Sequence, residues 1–367
     1  MKKYFLILSV IPVLLSGCGG ANKESLSNIV STPPSYSFIN PNNFVKEFGD
    51  FHTKEQGAYL KSDYDSIFEY ADGTKNLSSP DPISIDCENY SYLEISSNSD
   101  FTDSLIKQVE NTFDFYNAYL DTTYYYRLAN DELTLSTSEV KSFKTCDYGI
   151  RNIYVDGVTN VRDVGGHIAE NGKKSKQGLL YRGARFNATA ASEFTLEITE
   201  KGIDTVKNDL KIKTEIDLRK EYDNEIGSIS NSTIDDVAWV NIPIKNETGN
   251  YLTGNKEDFG KVFKLLSDKN NYPVYFHCDI GTDRTGLVSY IVNGLIGVSN
   301  IELYQDFLFS NFGNIRAKRK IDSITTYKSN LKDYGFDSLS KNIEAYLLDC
   351  GLTQNEVDNI KNIMLGD

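Results

Sequence analysis

Tryptophan occurs once, methionine twice, histidine three times and cysteine five times in these 367 residues. Positive charge is also scarce. The net charge is −14, and a field of that sign excludes nucleic acid and acidic surfaces as principal partners. No arginine precedes Arg127, yet six of the nine lie between Arg151 and Arg284. Beyond the first twenty residues no run of eighteen or more apolar residues occurs, which excludes a further membrane-spanning helix. Cys87 and Cys146 flank one segment and fit either a disulfide or two buried free thiols. Cys350 lies in a helical pattern as a core residue, so Cys18 and Cys278 stand apart.

The N-terminus reads as a targeting segment. "MKK" is a positively charged start, and "YFLILSVIPVLL" is an apolar stretch too short to span a bilayer stably. "LLSGC" places Ser16 and Gly17 directly before Cys18 and resembles a bacterial lipobox. The resemblance implies that residues 1–17 are removed and that the Cys18 thiol carries lipid, which anchors the protein to the cell membrane on its extracytoplasmic side.

Residues 18–65 begin as a tether rich in Ser, Gly, Asn and Pro. A β-rich stretch follows over 66–147. "SYLEISS", "TTYYYRLA" and "EVKSFKT" each alternate as half-buried strands, whereas "DSLIKQVENTF" (103–113) fits a helix or a long connection between strands. "YLDTTYYYRL" resembles the corner of a fibronectin type III domain, with Tyr124 as the corner tyrosine. From residue 150 to 367 strands alternate with helices, the pattern of an α/β layered domain. "TEIDLR" (214–219), "VAWVNIPI" (237–244) and "YPVYFHC" (272–278) read as strands. "DFGKVFKLLS" (258–267), "RTGLVSYIVNGLIG" (284–297) and "NIELYQDFLFSNF" (300–312) read as helices. A last helix is opened by a capping box from Thr353 to Glu356.

The apolar strand and the helix are joined by "HCDIGTDRTG" (277–286). A loop that feeds a helix N-terminus offers unpaired amides and partial positive charge to an anion. Gly281 permits a tight curl, and Arg284 adds a planar fork that can take two phosphate oxygens at once. A cysteine at the base of such a cradle is placed to act as a thiolate nucleophile. The Cys-x5-Arg spacing alone carries little. His277, Gly281, Thr285 and Gly286, set between a strand and a helix, narrow the reading to phosphate chemistry.

This loop is similar to the signature of cysteine-dependent protein tyrosine phosphatases. In particular it resembles the bacterial branch whose loop runs His-Cys-x-x-Gly-Lys-Asp-Arg-Thr-Gly. "NVRDVGG" (160–166), "GLLYRGARF" (178–186), "EIDLRKEYDNE" (215–225) and "YQDFLFSN" (304–311) fit the same branch in order. The resemblance implies a parallel sheet flanked by helices, with no metal or cofactor. It casts Cys278 as nucleophile, Arg284 as phosphate clamp and Asp283 as general acid. Asp217 is either a second functional aspartate or a strand-end residue that holds a loop. Asp279, Ile280, Gly281, Thr282, Asp283 and Arg284 form the phosphate cradle, with His277, Thr285, Arg162 and Asp163 in support. Asp258 and Glu247 are weaker candidates for the acid. Arg182 and Arg185 read more readily as ion pairs than as phosphate ligands, and the run "RAKRK" (316–320) as a solvated face. Thr282 stands where the branch carries lysine, which favours a phosphotyrosine protein or peptide as partner over a phosphoinositide. A surface module that binds phosphate or a partner without turnover would need no nucleophile, so Cys278, Asp283 and Arg284 together favour an enzyme.

Overall fold

The computed structural model describes residues 78–145, 149–189, 197–220, 226–245, 251–313 and 319–366. Cys18, the tether, Cys146, Glu247 and residues 316–318 of the basic run lie outside the described residues. Among the described residues no helix is long and apolar enough to cross a membrane.

Residues 78–145 form a β-sandwich. Strands β1 (Ile83–Asp86) and β4 (Thr112–Phe115) pair as one antiparallel sheet. Strands β2 (Tyr92–Ser96), β3 (Leu105–Gln108), β5 (Thr123–Ala129) and β6 (Lys141–Lys144) form the other, in the order β3-β2-β5-β6. The two-residue period of β5 turns Tyr124, Tyr126 and Leu128 into a core shared with Ile83, Ile85, Leu93, Ile95 and Phe143. The Tyr124 hydroxyl accepts the Tyr119 N–H at 2.9 Å and so closes a corner. Cys87 is a free, buried thiol in this core. Segment 103–113 is not helical: it supplies β3 to one sheet and β4 to the other. Between them Asn111 adopts a φ of 46° and its carbonyl accepts the Cys87 N–H, a turn that interrupts the helical spacing of Leu105, Ile106 and Val109.

The α/β unit is built on a five-stranded sheet of order β10-β9-β11-β8-β7. Strands β8 (Leu180–Gly183), β9 (Thr214–Asp217), β10 (Ala238–Asn241) and β11 (Val274–His277) run parallel. Strand β7 (Arg162–Asp163) adds an antiparallel edge, with Arg162 opposite Arg182. Along β11 side chains alternate between two cores. Val274 and Phe276 face the helices Lys256–Leu266, Asp283–Leu295, Asn300–Phe309, Leu339–Asp349 and Gln354–Leu365. Tyr275 faces Ile153, Val155, Val158, Val161, Val206 and Ile212. Buried on both faces, the sheet presents the carboxyl ends of its parallel strands in register: Gly183, His277, Asp217 and Asn241 lie side by side. Such a crevice is where open α/β sheets bind ligands.

The two units are joined by hydrogen bonds to the sandwich backbone. The buried Arg151 donates to the carbonyls of Ala118 (3.0 Å) and Asn117 (2.6 Å), stacks on Tyr119 and pairs with Asp163 at 2.6 Å. The Gln177 amide accepts from Leu120 N–H and donates to the Leu120 carbonyl.

His167 is buried beside Glu302 of helix Asn300–Phe309, with Nδ1 3.3 Å from Oε1. Burial alone would lower the imidazole pKa, but the Glu302 hydrogen bond and charge, with Asp306 and Asp163 behind, raise it. A raised folded-state value means that the pair's stabilisation is complete below the unfolded value near 6.5. It is lost as pH rises through the folded value. The stability advantage of wild type over His167→Gln in urea denaturation should therefore be full below about pH 6.5 and shrink as pH rises above it. An advantage that grows with pH would contradict this.

Candidate phosphate-binding site

The loop leaves β11 at Cys278 and enters helix Asp283–Leu295, with Thr282 at the N-cap position. Its carbonyls are bonded from outside, one after another. His277 Nδ1 donates to the Cys278 carbonyl at 2.9 Å, while Nε2 lies 2.8 Å from Glu215 Oε1. Arg185 donates to the Asp279 carbonyl through its backbone N–H (3.2 Å) and Nη1 (3.1 Å). Asn160 Nδ2 donates to the carbonyls of Ile280 (3.2 Å) and Gly281 (3.0 Å). Arg182 Nη2 donates to Gly281 (3.0 Å) and Thr282 (3.4 Å). Because each peptide unit is planar and trans, a carbonyl held outward turns the next residue's N–H inward. The amides from Asp279 to Asp283 thus converge over Cys278 at the start of a helix, an arrangement suited to an anion.

Gly281 takes a φ of 70°, and a Cβ there would lie 2.2 Å from the Gly183 carbonyl oxygen. Glycine is required by both the turn and the close approach of the β8 backbone.

Behind the loop lies a buried charged cluster. Asp306, on helix Asn300–Phe309, pairs through Oδ1 with Arg162 Nε (2.6 Å) and through Oδ2 with Arg182 Nη1 (2.5 Å). It also accepts from Ser289 at 2.9 Å. Both arginines are fully buried. Burial, with the neighbouring Arg162 charge, pulls the Arg182 pKa down to about 10 against the opposing pull of Asp306. Burial would raise the Asp306 carboxyl, but the two guanidinium groups hold it well below the ordinary carboxylate range. Arg162 Nη1 also donates to Asn160 Oδ1 at 2.6 Å, aiming the amide that ties Ile280 and Gly281.

The expected residues divide as follows. Cys278 and Thr282 are buried, and Arg284 sits where its Nη1 donates to the Leu218 carbonyl at 3.2 Å. Asp279 pairs with Arg185 (Nε to Oδ1, 3.2 Å), so its charge is matched beside the loop. Thr285 is buried, and its hydroxyl has no hydrogen-bond partner among the described residues, the Cys278 sulfur included. Of the two readings of Asp217, its bonding fits the strand-end residue that holds a loop. It is fully buried and bonded to Arg219 through both oxygens, with Nη2 2.7 Å from Oδ2, and it accepts the Arg219 N–H at 2.9 Å. Burial would raise its pKa, but His277 and Arg219 lower it, so it holds no proton to give. Its work is to fix the 217–219 turn whose Leu218 carbonyl orients Arg284. Asp163 is corrected: it accepts from Arg151, Gly165 N–H and Gly178 N–H at the junction with the sandwich, and supports that junction rather than the loop. Asp258 pairs with Lys261 on its own helix at 2.9 Å.

Four contributors escaped the sequence reading as site residues. Asn160 and Asp306 lay inside segments already singled out, without a signal for which residue mattered. The phenol pKa of Tyr251 is pushed up to about 12 by burial and then by Asp283, and that of Tyr327 is raised by the same two causes. The basic run is corrected at Arg319. Instead of facing solvent, its guanidinium grips Asp283 through two bonds, Nε to Oδ1 at 2.6 Å and Nη2 to Oδ2 at 2.7 Å.

Removing the central carboxylate would leave two buried guanidinium charges facing each other. Asp306→Ala should destabilise the protein by about 3–5 kcal/mol, read from chemical denaturation. A loss under about 1 kcal/mol would show that the triad does not hold the loop's rear wall.

Comparison with known proteins adds the following. The sequence model of the tyrosine phosphatase family matches residues 153–366. No curated protein matches. Among solved structures, the core catalytic domain of the S. cerevisiae PP-IP phosphatase SIW14, in complex with citrate, shares 15% identity at a TM-score of 0.28, over 48% of this chain and 94% of that one. P. aeruginosa TpbA in complex with pTyr shares 16% at a TM-score of 0.29, over 48% and 88%. OH1 from the Orf virus, a tyrosine phosphatase, shares 11% at a TM-score of 0.19, over 51% and 83%. The family match spans more than half of the chain and contains the whole loop with every strand that shapes it; the chain belongs to the tyrosine phosphatase family.

Proposed function

We propose that the protein is a cysteine-dependent phosphatase that hydrolyses phosphotyrosine through a phosphocysteine intermediate, outside the cytoplasm and tethered by lipid on Cys18. The observation that carries the reading is the outward bonding of every loop carbonyl from Cys278 to Thr282. It leaves the amides, the Arg284 fork and the helix N-terminus to face three equatorial phosphate oxygens over the thiol. The Cys278 sulfur attacks phosphorus in line, the S–P bond forms, and the P–O bond to the leaving group breaks with its electron pair on oxygen. Asp283 supplies the proton to that oxygen. Water then attacks phosphorus, releasing inorganic phosphate and the thiolate.

Thr282 is buried and uncharged, so the loop carries no cation of its own at that position for a polyphosphorylated ring. That favours the phosphotyrosine reading over phosphoinositides. For the N-terminal sandwich we favour a fibronectin type III-like unit, supported by the Tyr124 corner and the two-sheet strand order.

Cys278→Ser should abolish phosphate release from a phosphotyrosine peptide. Asp283→Asn should slow release by about 10²–10⁴ when the leaving group has a pKa near 10, and by much less for an activated aryl phosphate. Initial rates across a leaving-group series check this, and equal slowing for all leaving groups would exclude Asp283 as the acid. Phosphate bound by wild type without release would convert the reading to that of a binding module.

A further inference from the structure

The sandwich carries most of the apolar surface left uncovered. Of the nine large hydrophobic side chains exposed among the described residues, six lie between Tyr90 and Val140. Two of them, Leu105 and Ile106, are neighbours on β3, a strand whose four residues are all exposed. The strand order β3-β2-β5-β6 leaves one side of β3 without a partner strand among the described residues. Leu105 stands opposite Ile95 on the core-facing side and Ile106 opposite Glu94 on the outer side, so this edge is apolar on both faces. Sheet edges are ordinarily guarded by charge, proline or a bulge, because an open row of backbone groups templates another strand. β3 has no proline, and Lys107 is its one charge. That charge serves the neighbouring unit: burial and Asp204 raise the Asp209 carboxyl, and Lys107 acts against them. The sandwich, residues 78–145, holds twelve acidic side chains against four basic ones. Arg127 is spent on Glu94 and Lys144 on Asp121. Asp100 and Asp103 stand before β3 and Glu110 after it, all exposed. An apolar edge with carboxylates at both ends suits a cationic segment and repels an acidic one, a second copy of the same edge included.

We infer that the free edge of β3 is an interaction surface that takes an extended, lysine- or arginine-rich segment of another protein as an added strand. Main-chain hydrogen bonds supply the attachment, and side chains on alternate faces supply the selection. Four residues at about 3.3 Å each make an edge of roughly 13 Å, which a partner strand of about four to six residues covers. The central residues of that strand are aliphatic and shield Leu105 and Ile106 from water. Lysine or arginine at its two ends meets Asp103 and Glu110. The surface belongs to the sandwich, so the inference stands apart from the phosphatase reading: a basic protein held there is brought to the same chain whatever the loop does to it.

The probe is the peptide Lys-Lys-Val-Val-Val-Lys-Lys, labelled for fluorescence anisotropy and titrated with the full chain. It should bind at least about tenfold more tightly than Glu-Glu-Val-Val-Val-Glu-Glu, and its affinity should fall as salt rises from about 50 to 500 mM. N-methylation of its valines removes backbone donors but no charge, and should weaken binding by about tenfold. Ile106→Lys should weaken it by a similar factor, whereas Ile106→Val should keep most of the affinity. Both variants should unfold in urea at the wild-type midpoint, because residue 106 is exposed. Hydrogen exchange in the fragment 103–110 should slow when the lysine peptide is added. No binding of the lysine peptide, or equal binding of the two peptides, would overturn the proposal. So would affinity unchanged by N-methylation or by Ile106→Lys, or an exchange rate in 103–110 that saturation leaves as it was. Absence of binding with that fragment already slow in the free protein would show the edge covered by another part of this chain. Dimerisation that Ile106→Lys abolishes would make a second copy the occupant, and either result overturns the assignment to a basic partner.

Discussion

A loop of five peptide units can cradle an anion only if its carbonyls are kept out of the centre, and the buried Arg162–Asp306–Arg182 cluster does this for Ile280, Gly281 and Thr282, directly through Arg182 and through the Asn160 that Arg162 orients. Two arginines taken from water at the same place would repel each other and carry a large desolvation cost. Asp306 offsets that cost from a neighbouring helix, with both oxygens engaged and Ser289 as a further donor. What remains of Arg182 is spent on the carbonyls of Gly281 and Thr282, and what remains of Arg162 on orienting Asn160. Replacing such a triad with apolar residues can leave a protein equally stable, so its value here is geometric. It fixes the direction of the loop's dipoles before any substrate arrives, the condition for electrostatic stabilisation without reorganisation.

The same logic extends sideways through the sheet. In-register strand ends bring Gly183, His277 and Asp217 together, and each supports the loop differently. Gly183 offers a backbone close enough to require glycine at position 281. His277 bridges Glu215 and the Cys278 carbonyl. Asp217 and Arg219 lock the turn that gives Arg284 its Leu218 acceptor. At the far end of β7, Asp163 belongs to a separate network in which Arg151 reaches across to the backbone of the sandwich. One short edge strand therefore carries adjacent residues with different duties, Arg162 toward the site and Asp163 toward the neighbouring unit.

Much of this was legible in the sequence wherever local chemistry decides it. An apolar strand, a glycine turn, a cysteine and an arginine at the mouth of a helix are all short-range features, and the loop could be read from them. Long-range pairing could not. Asp306 is 144 residues from Arg162, and inside an apolar helix it gives no sign of which charge it meets. Arg319 was hidden by its own neighbours, since a run of basic residues ordinarily faces water. Asp217 looked equally like a catalytic and a strand-end residue until Arg219, two positions on, was seen to occupy both of its oxygens. The helical alternative for segment 103–113 fell for a different reason. Its apolar spacing fits a helix, but a left-handed Asn111 and the demands of two facing sheets override so short a pattern.

The central claim is that Cys278 takes the phosphoryl group itself. The most direct measurement is acid quenching of the enzyme during turnover of a phosphotyrosine peptide, followed by mass spectrometry of the fragment that contains residues 277–286. The account predicts one added phosphoryl group on Cys278, absent when substrate is omitted and absent in Cys278→Ser. Steady phosphate release with that fragment unmodified, and with Cys278→Ser still active, would contradict it.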